Sequence, residues 1–506
     1  MYWLIWSVTI VFIVWNYYRD VFHYWQRRGV PTPPYQFLVG HMGPTCTFKK
    51  NFGVIMTEIY QSFQGFRYVG FYNFTRKGIV LRDTDLIRDI LVKDFPSFHD
   101  NNFDISEEHD IIFGKNPFVL KGDRWKIVRA QITPSFTTGK VKAMMPLFIA
   151  NNAKLLRYLQ EKTTGNEKVL EAKELASKIT CENVASCAFG LDGGCFLQEH
   201  SEFREMGRKL SHPSFANGLK RFCLFIVPSL SKILKVKFFF DEITDFLRKI
   251  VRETLSYRKE NNINRNDFLD AMQDLHAKIN NDQVFGEDDI LAHAGGFFLD
   301  GFETSAVAIS HVMYDIAANV QVQQKLRREI NEVLGKHGSL TFEAIQDMQY
   351  LDCVIKESMR MHVALLTLGK LCNQTYKLPP AKENGTGPEV TLEPGTIVVV
   401  PTAGLQMDAK YFPEPEKFIP ERFNDENKEK INRFAYLPFG EGPRKCLGSK
   451  FGSLQTKMSI IAIVQNFNLS VNEETPKFPW DLDGMGVMNV PLGGLWLNFD
   501  RITNKS

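Results

Sequence analysis

From Tyr2 to Tyr18 the chain runs without a charge through mostly Trp, Ile, Val, Phe and Tyr, so its first element has no polar face. As a helix rising about 1.5 Å per residue it would span roughly 25 Å, close to a thin bilayer. Trp3, Trp6, Trp15, Tyr17 and Tyr18 sit towards its ends, as interfacial aromatics do, and Arg19, Arg27 and Arg28 follow it while no base precedes it. The pattern predicts a transmembrane signal anchor over 1–18 with everything downstream on the cytosolic side. A cleaved signal peptide, the alternative, needs a basic leading segment and a small-residue cleavage site, and neither is present. RRGVPTPPYQFLVG (27–40) then groups three prolines and two glycines, which predicts a stiff linker over 19–40. Apolar positions three and four apart dominate 140–370; in Val320–His337, for example, Leu326, Ile330, Val333 and Leu334 share a helical face. β-like runs are short: Phe66–Tyr72, Gly78–Leu81 and Thr396–Pro401. The fold expected is mainly α with a small β-sheet region, as a single large domain over 41–506.

Composition narrows what such a body can do. With 44% hydrophobic residues and 41 phenylalanines, the chain can bury a large core. A formal net charge of +3 is too small to imply a polyelectrolyte partner, so nucleic acid is not indicated. The eight cysteines form no CxxC pair and no framework spacing, which argues against structural disulfides and zinc ribbons and for a reducing compartment.

One of those cysteines stands in an unusual place, FAYLPFGEGPRKCLGSKFGSL (434–454). Phe451, Leu454, Met458 and Ile461 repeat at helical spacing, so Cys446 lies just ahead of a helix N-terminus, where orphan amides and the macrodipole favour a thiolate. Gly440, Gly442 and Gly448 permit close backbone approaches. A lone cysteine is more often a small core residue, but the order Phe439, Gly442, Arg444, Cys446, Gly448 resembles the haem-thiolate loop of the cytochrome P450 family. The resemblance implies that Cys446 is the axial thiolate and metal ligand of haem b, that Phe439 shields the sulfur and that Arg444 pairs with a haem propionate. A thiolate ligand pushes electron density onto iron and favours O–O cleavage.

Further stretches carry the same resemblance. Glu357 and Arg360 of KESMR, with Arg422 of PERF, are similar to the family's structural ion-pair triad, to which no catalysis is assigned. Trp125 and Arg129 of GDRWKIVR match a Trp-x-x-x-Arg that reaches a propionate, and the adjoining QITPSFTTGKVKAM resembles the microsomal insect group associated with xenobiotic metabolism. FFLDGFETS (297–305) resembles the oxygen-activating helix, in which Gly301 opens room for dioxygen, Thr304 hydrogen-bonds to it and Glu303 helps to relay protons. Three positions depart from the family pattern: Asp300 replaces a small residue, Lys370 an arginine for a propionate, and Val363 a proline. Asp300 precedes Thr304 by four and shares its helical face, so it is expected either to join the proton relay or to orient a polar group of the substrate; an acid tied structurally to a neighbouring element is the alternative.

By the same resemblance, Phe103, Phe118, Leu120, Phe297, Leu365, Leu368, Met485 and Val487 line a pocket for a hydrophobic small molecule. KRFCLFIVPSLSKILKVKFFF (220–240) mixes bases with bulky apolar residues, suiting contact with membrane lipid near the point where substrate enters, or else a buried helix pair. No flavin or nicotinamide fingerprint is present, so the electrons of NADPH are expected through a separate NADPH-cytochrome reductase, with a cytochrome b-type protein as a further donor. The implied activity is a monooxygenase of the endoplasmic-reticulum membrane, using O2. A haem-thiolate isomerase or dehydratase, and a non-catalytic haem-binding or ligand-binding membrane protein, are the alternatives.

Overall fold

The computed structural model describes residues 2–164, 168–197, 201–211, 214–265, 267–281 and 284–502. The helices that build the site and its surroundings are α1 (Tyr2–Phe22), α2 (Gly122–Ile132), α3 (Ala172–Val184), α4 (Phe215–Arg221), α5 (Pro228–Ile233), α6 (Glu287–Ala318), α7 (Val320–His337), α8 (Gln349–Met361) and α9 (Ser449–Asn466). α6, 32 residues long, runs through the middle. Its first turn holds Glu287, Asp288 and Asp289, and the Asp289 carboxylate accepts a 3.0 Å hydrogen bond from the Gly286 amide, so the N-terminal dipole and an orphan donor are both satisfied. Beyond that turn α6 is buried from Ile290 to Phe298 and again at Phe302, Ala306 and Ile309. Apolar residues on every side make it a helix through the core rather than along it. α3, α8 and α9 pack against it.

The strands are β1 (Tyr68–Asn73), β2 (Arg76–Leu81), β3 (Val169–Glu171), β4 (Leu368–Leu371), β5 (Tyr376–Leu378), β6 (Val390–Leu392), β7 (Ile397–Val400), β8 (Phe467–Val471) and β9 (Trp496–Arg501). They form sheets in the orders β1-β2-β7-β4, β3-β9-β8 and β5-β6. In the first, β2 and β7 run parallel with Ile79 opposite Val398, and β4 pairs antiparallel with β7, setting Lys370 opposite Val398. The mainly helical fold with a small β region is as expected, and the Val320–His337 periodicity coincides with α7.

The N-terminal region differs from its expectation. Residues after α1 do not stand off from the body as a spacer: Trp25 is wholly buried, its indole N–H donates to the Phe71 carbonyl at 3.2 Å, and the Gly70 amide donates to the Pro31 carbonyl at 2.8 Å. Extended, proline-fixed backbone is well suited to lie along a sheet edge, and here it does. α1 exists, with Trp3 88% exposed, but among the described residues no helix is long and apolar enough to cross a membrane. The reason is composition: Ser7, Thr9 and Asn16, each bonded back to a carbonyl four residues earlier, interrupt the run, and Trp and Tyr are only half apolar. The single-pass anchor expected over 1–18 is therefore not supported.

Candidate active site

The Cys446 loop is shaped by its glycines. Gly442 has φ +79° and an added Cβ would lie 2.1 Å from the Leu91 carbonyl oxygen, so no side chain fits there. The turn this permits lets the Cys446 amide donate to the Phe439 carbonyl at 2.8 Å and the Lys445 amide to Gly442 at 3.0 Å. The Gly448 amide hydrogen-bonds to the Cys446 sulfur, while nothing lies within 4 Å of where a Gly448 Cβ would stand. Despite these features the thiol is pushed up to about 11, chiefly by burial; the Gly448 amide and Arg129 oppose the shift and Asp300 adds to it. Burial thus works against the thiolate that the helix end, the Gly448 amide and Arg129 favour.

Beside the loop stands a basic wall. Arg129, on α2, donates from Nη2 to the Lys445 carbonyl at 2.8 Å. Trp125, one turn earlier, is buried and the Arg444 guanidinium lies over its ring at 4.2 Å. Arg444 donates to the carbonyls of His99, Pro117 and Leu120 and lies 3.5 Å from Asp100. Lys370, on β4, is buried with Nζ 2.8 Å from Asn101 Oδ1. Burial, the Arg444 charge and Asp100 together leave Lys370 pulled down to about 7, and burial with Arg129 alongside pulls Arg444 down to about 10. These cations disfavour one another and would be relieved by an anion.

α6 supplies the facing surface. Asp300 acts electrostatically on Cys446, and each keeps accessible surface although burial dominates its proton affinity. Side chains with both properties suit the border of an interior cleft. Thr304 donates from Oγ1 to the Asp300 carbonyl at 2.7 Å, one turn back on the same face. Gly301 presents a different face: its carbonyl accepts from Gln455 Nε2 at 3.0 Å, and its missing side chain admits Val184 and the Phe297 ring. Glu303 is buried and paired to Lys173 of α3 at 2.6 Å. A thiol with an amide at its sulfur, and cations relieved by an anion, suit a dianionic, iron-bearing group such as haem.

Comparison with known proteins settles the class. The family model for cytochrome P450 matches residues 30–497. Cytochrome P450 6k1 of Blattella germanica is 33% identical, over 98% of this chain and 96% of that protein. The chain belongs to the cytochrome P450 family. Cytochrome P450 9e2 of the same insect is 33% identical over 99% of both chains, and probable cytochrome P450 6a20 of Drosophila melanogaster 32% over 98% of both. A P450 is an oxidoreductase, a haem-dependent monooxygenase, and these relatives are insect proteins, the group that the stretch beyond Arg129 resembles.

In this P450 Glu357, Arg360 and Arg422 form one ion-pair cluster. Arg360 and Glu357 share two hydrogen bonds, 2.8 and 2.9 Å, with both side chains wholly buried, and Arg422 Nε reaches Glu357 at 3.2 Å. Of the pocket residues, Phe103 and Phe118 meet at 4.8 Å with Phe225 against Phe103 at 5.3 Å, and Leu368 lies 3.6 Å from a Cβ on Gly440 of the cysteine loop. Leu120 is buried behind Arg444. Leu365 bridges to Met488, Met485 backs onto Gly218 of α4, and Val487 is exposed. Phe297 is buried and packs among Phe136, Phe268 and Phe451. Phe439 is half-buried and packs against the main core. Asp100, Asn101 and Asn116, which hold Arg444, Lys370 and Asp300, escape sequence reasoning, since they lie on loops without periodicity.

Proposed function

We propose that this P450 inserts one oxygen atom of O2 into apolar small molecules, xenobiotic or endogenous lipid-like, with electrons from NADPH delivered by a separate reductase. The observation that carries the reading is an accessible thiol with an amide aimed at its sulfur and cations beside its loop. In this reading Cys446 ligates haem b, Phe439 covers the sulfur, and Trp125, Arg129, Arg444 and Lys370 hold the propionate edge. Bound haem supplies an iron at which dioxygen is activated. The chain's own contribution is to exclude water and place protons. Thr304 spends its hydroxyl proton on the Asp300 carbonyl, leaving its oxygen to accept a proton-bearing group in the cleft. Glu303 keeps Oε2 without a partner among the described residues and is read as an acid of the relay.

We place the catalytic domain at 41–506, with 19–40 as its docked lead-in, on the cytosolic face of the endoplasmic reticulum. Exposed apolar side chains on α1, and Phe215, Leu219, Ile233 and Leu234 on and beside α4 and α5, support contact with the membrane surface. Ile226, between α4 and α5, shares a core with Val21 and Phe22, so both patches flank one region. Removing residues 2–20 should move the protein from floating vesicles to the soluble fraction; unchanged flotation would refute the role of α1.

Lys445 and Lys450 are exposed on the cysteine loop and at the start of α9, and Lys450 bonds Thr138 Oγ1 at 2.7 Å, close in sequence to Lys140 and Lys142. Lys126 lies on the exposed side of α2. An acidic reductase surface would be steered to these bases. With reductase present, substrate-dependent NADPH oxidation is expected to fall severalfold in the K445E/K450E variant and to lose its salt dependence, while substrate affinity is unchanged. Absence of NADPH oxidation by the unmutated protein across a panel of apolar compounds would sink the monooxygenase reading.

A further inference from the structure

Asp300 is an acid where an apolar cleft would be simplest. One turn earlier, Gly296 leaves room for the Asn116 amide, whose Nδ2 would lie 3.0 Å from an added Cβ. Asn116 is itself buried, and its orientation is set by the Phe118 amide donating to Oδ1 at 2.7 Å. The same amide therefore presents Nδ2 to Asp300 Oδ2 at 3.0 Å. This is a built contact: a glycine, a turn amide and a buried carboxamide combine to hold one carboxylate oxygen.

The other oxygen has no such partner. Among the described residues Asn116 is the only hydrogen-bond partner of the Asp300 carboxylate, and no basic side chain acts on it. Asp300 nevertheless keeps accessible surface. Pushed up to about 6 by burial, it is still mostly ionised near neutral pH. An unpaired buried carboxylate is costly unless a positive charge meets it. The turn that carries Asn116 also carries Phe118, which packs against Phe103, itself in contact with Phe225, and aromatic faces attract cations.

We propose that the Asp300 carboxylate, fixed by Asn116 and lacking a basic partner, selects among apolar substrates those that bear a positively charged nitrogen. This rests on the cleft being the substrate site proposed above. Asp300 is then a specificity-determining residue rather than a member of the proton relay.

Binding of benzoylcholine and of its uncharged carbon isostere, 3,3-dimethylbutyl benzoate, to the full-length protein reconstituted with haem tests this. Equilibrium dialysis reads both affinities without O2, reductase or turnover, so a failed monooxygenase reading, seen as absent NADPH oxidation, is separate from failure here. Wild-type protein should bind the cation at least as tightly as the isostere. Asp300→Asn preserves shape and a hydrogen bond to Asn116 but removes the charge. It should lower the cation-to-isostere preference about tenfold or more, as expected when a desolvated charge pair loses one member. Tighter binding of the isostere by the wild type, or an unchanged preference in D300N, overturns the proposal.

Discussion

Cys446→His is expected to abolish the strongly red-shifted Soret band of the reduced, carbon monoxide-bound protein and to leave a histidine-type spectrum if haem is retained. Burial raises the proton affinity of the thiol, and a bound metal ion would favour its thiolate. The Gly448 amide is aimed at a sulfur, and Arg129 beside it favours an anion. A neutral imidazole uses neither feature and donates less electron density. Loss of groups that merely orient a metal ligand reduces affinity or activity about 10–100-fold, so losing the ligand should exceed the upper end of that range in turnover. A histidine-type spectrum in the unmutated protein would remove Cys446 from the site.

Glu357→Ala should unfold much of the protein. Glu357 accepts from Arg360 Nε and Nη2, from Arg422 Nε and from the Ile419 amide, all with no exposure of the Glu357 or Arg360 side chain. Arg360 also donates to the carbonyls of Gln406 and Pro415. Removing the carboxylate leaves two guanidinium groups facing each other in the interior, and breaking a buried pair in this way costs about 3–5 kcal/mol. Against a net stability of about 5–15 kcal/mol, that is a large fraction. Arg360→Lys should fare little better, since an ammonium cannot span the carboxylate and two carbonyls at once. Denaturant unfolding checks both; a change below about 0.5 kcal/mol for Glu357→Ala would show that the triad is dispensable.

Features set by neighbours in the chain were legible in the sequence. α7 follows from the spacing of Leu326, Ile330, Val333 and Leu334, and the glycines of the cysteine loop follow from the backbone they must adopt, as Gly442 with its positive φ demonstrates. Glu357 and Arg360 meet because i and i+3 share a helical face. The family motifs lie where function concentrates a few residue types at short spacing, and so they are readable without a fold.

Other outcomes depended on what is distant in sequence. Whether Cys446 is a thiolate turns on desolvation against a dipole, and desolvation is known only once α2 and α6 close around the loop. Phe297, Gly301 and Asp300 lie within one turn of each other, yet which face meets α9 and which meets the cleft is decided by helix packing. Glu303 finds Lys173 on another helix, and Asp300 finds Asn116 on a loop. Periodicity reports that a helix has faces, and short motifs report which chemistry is present. Only the assembled core assigns each face a neighbour, and with it the burial and charge that decide whether a carboxyl, a thiol or an ammonium keeps its proton.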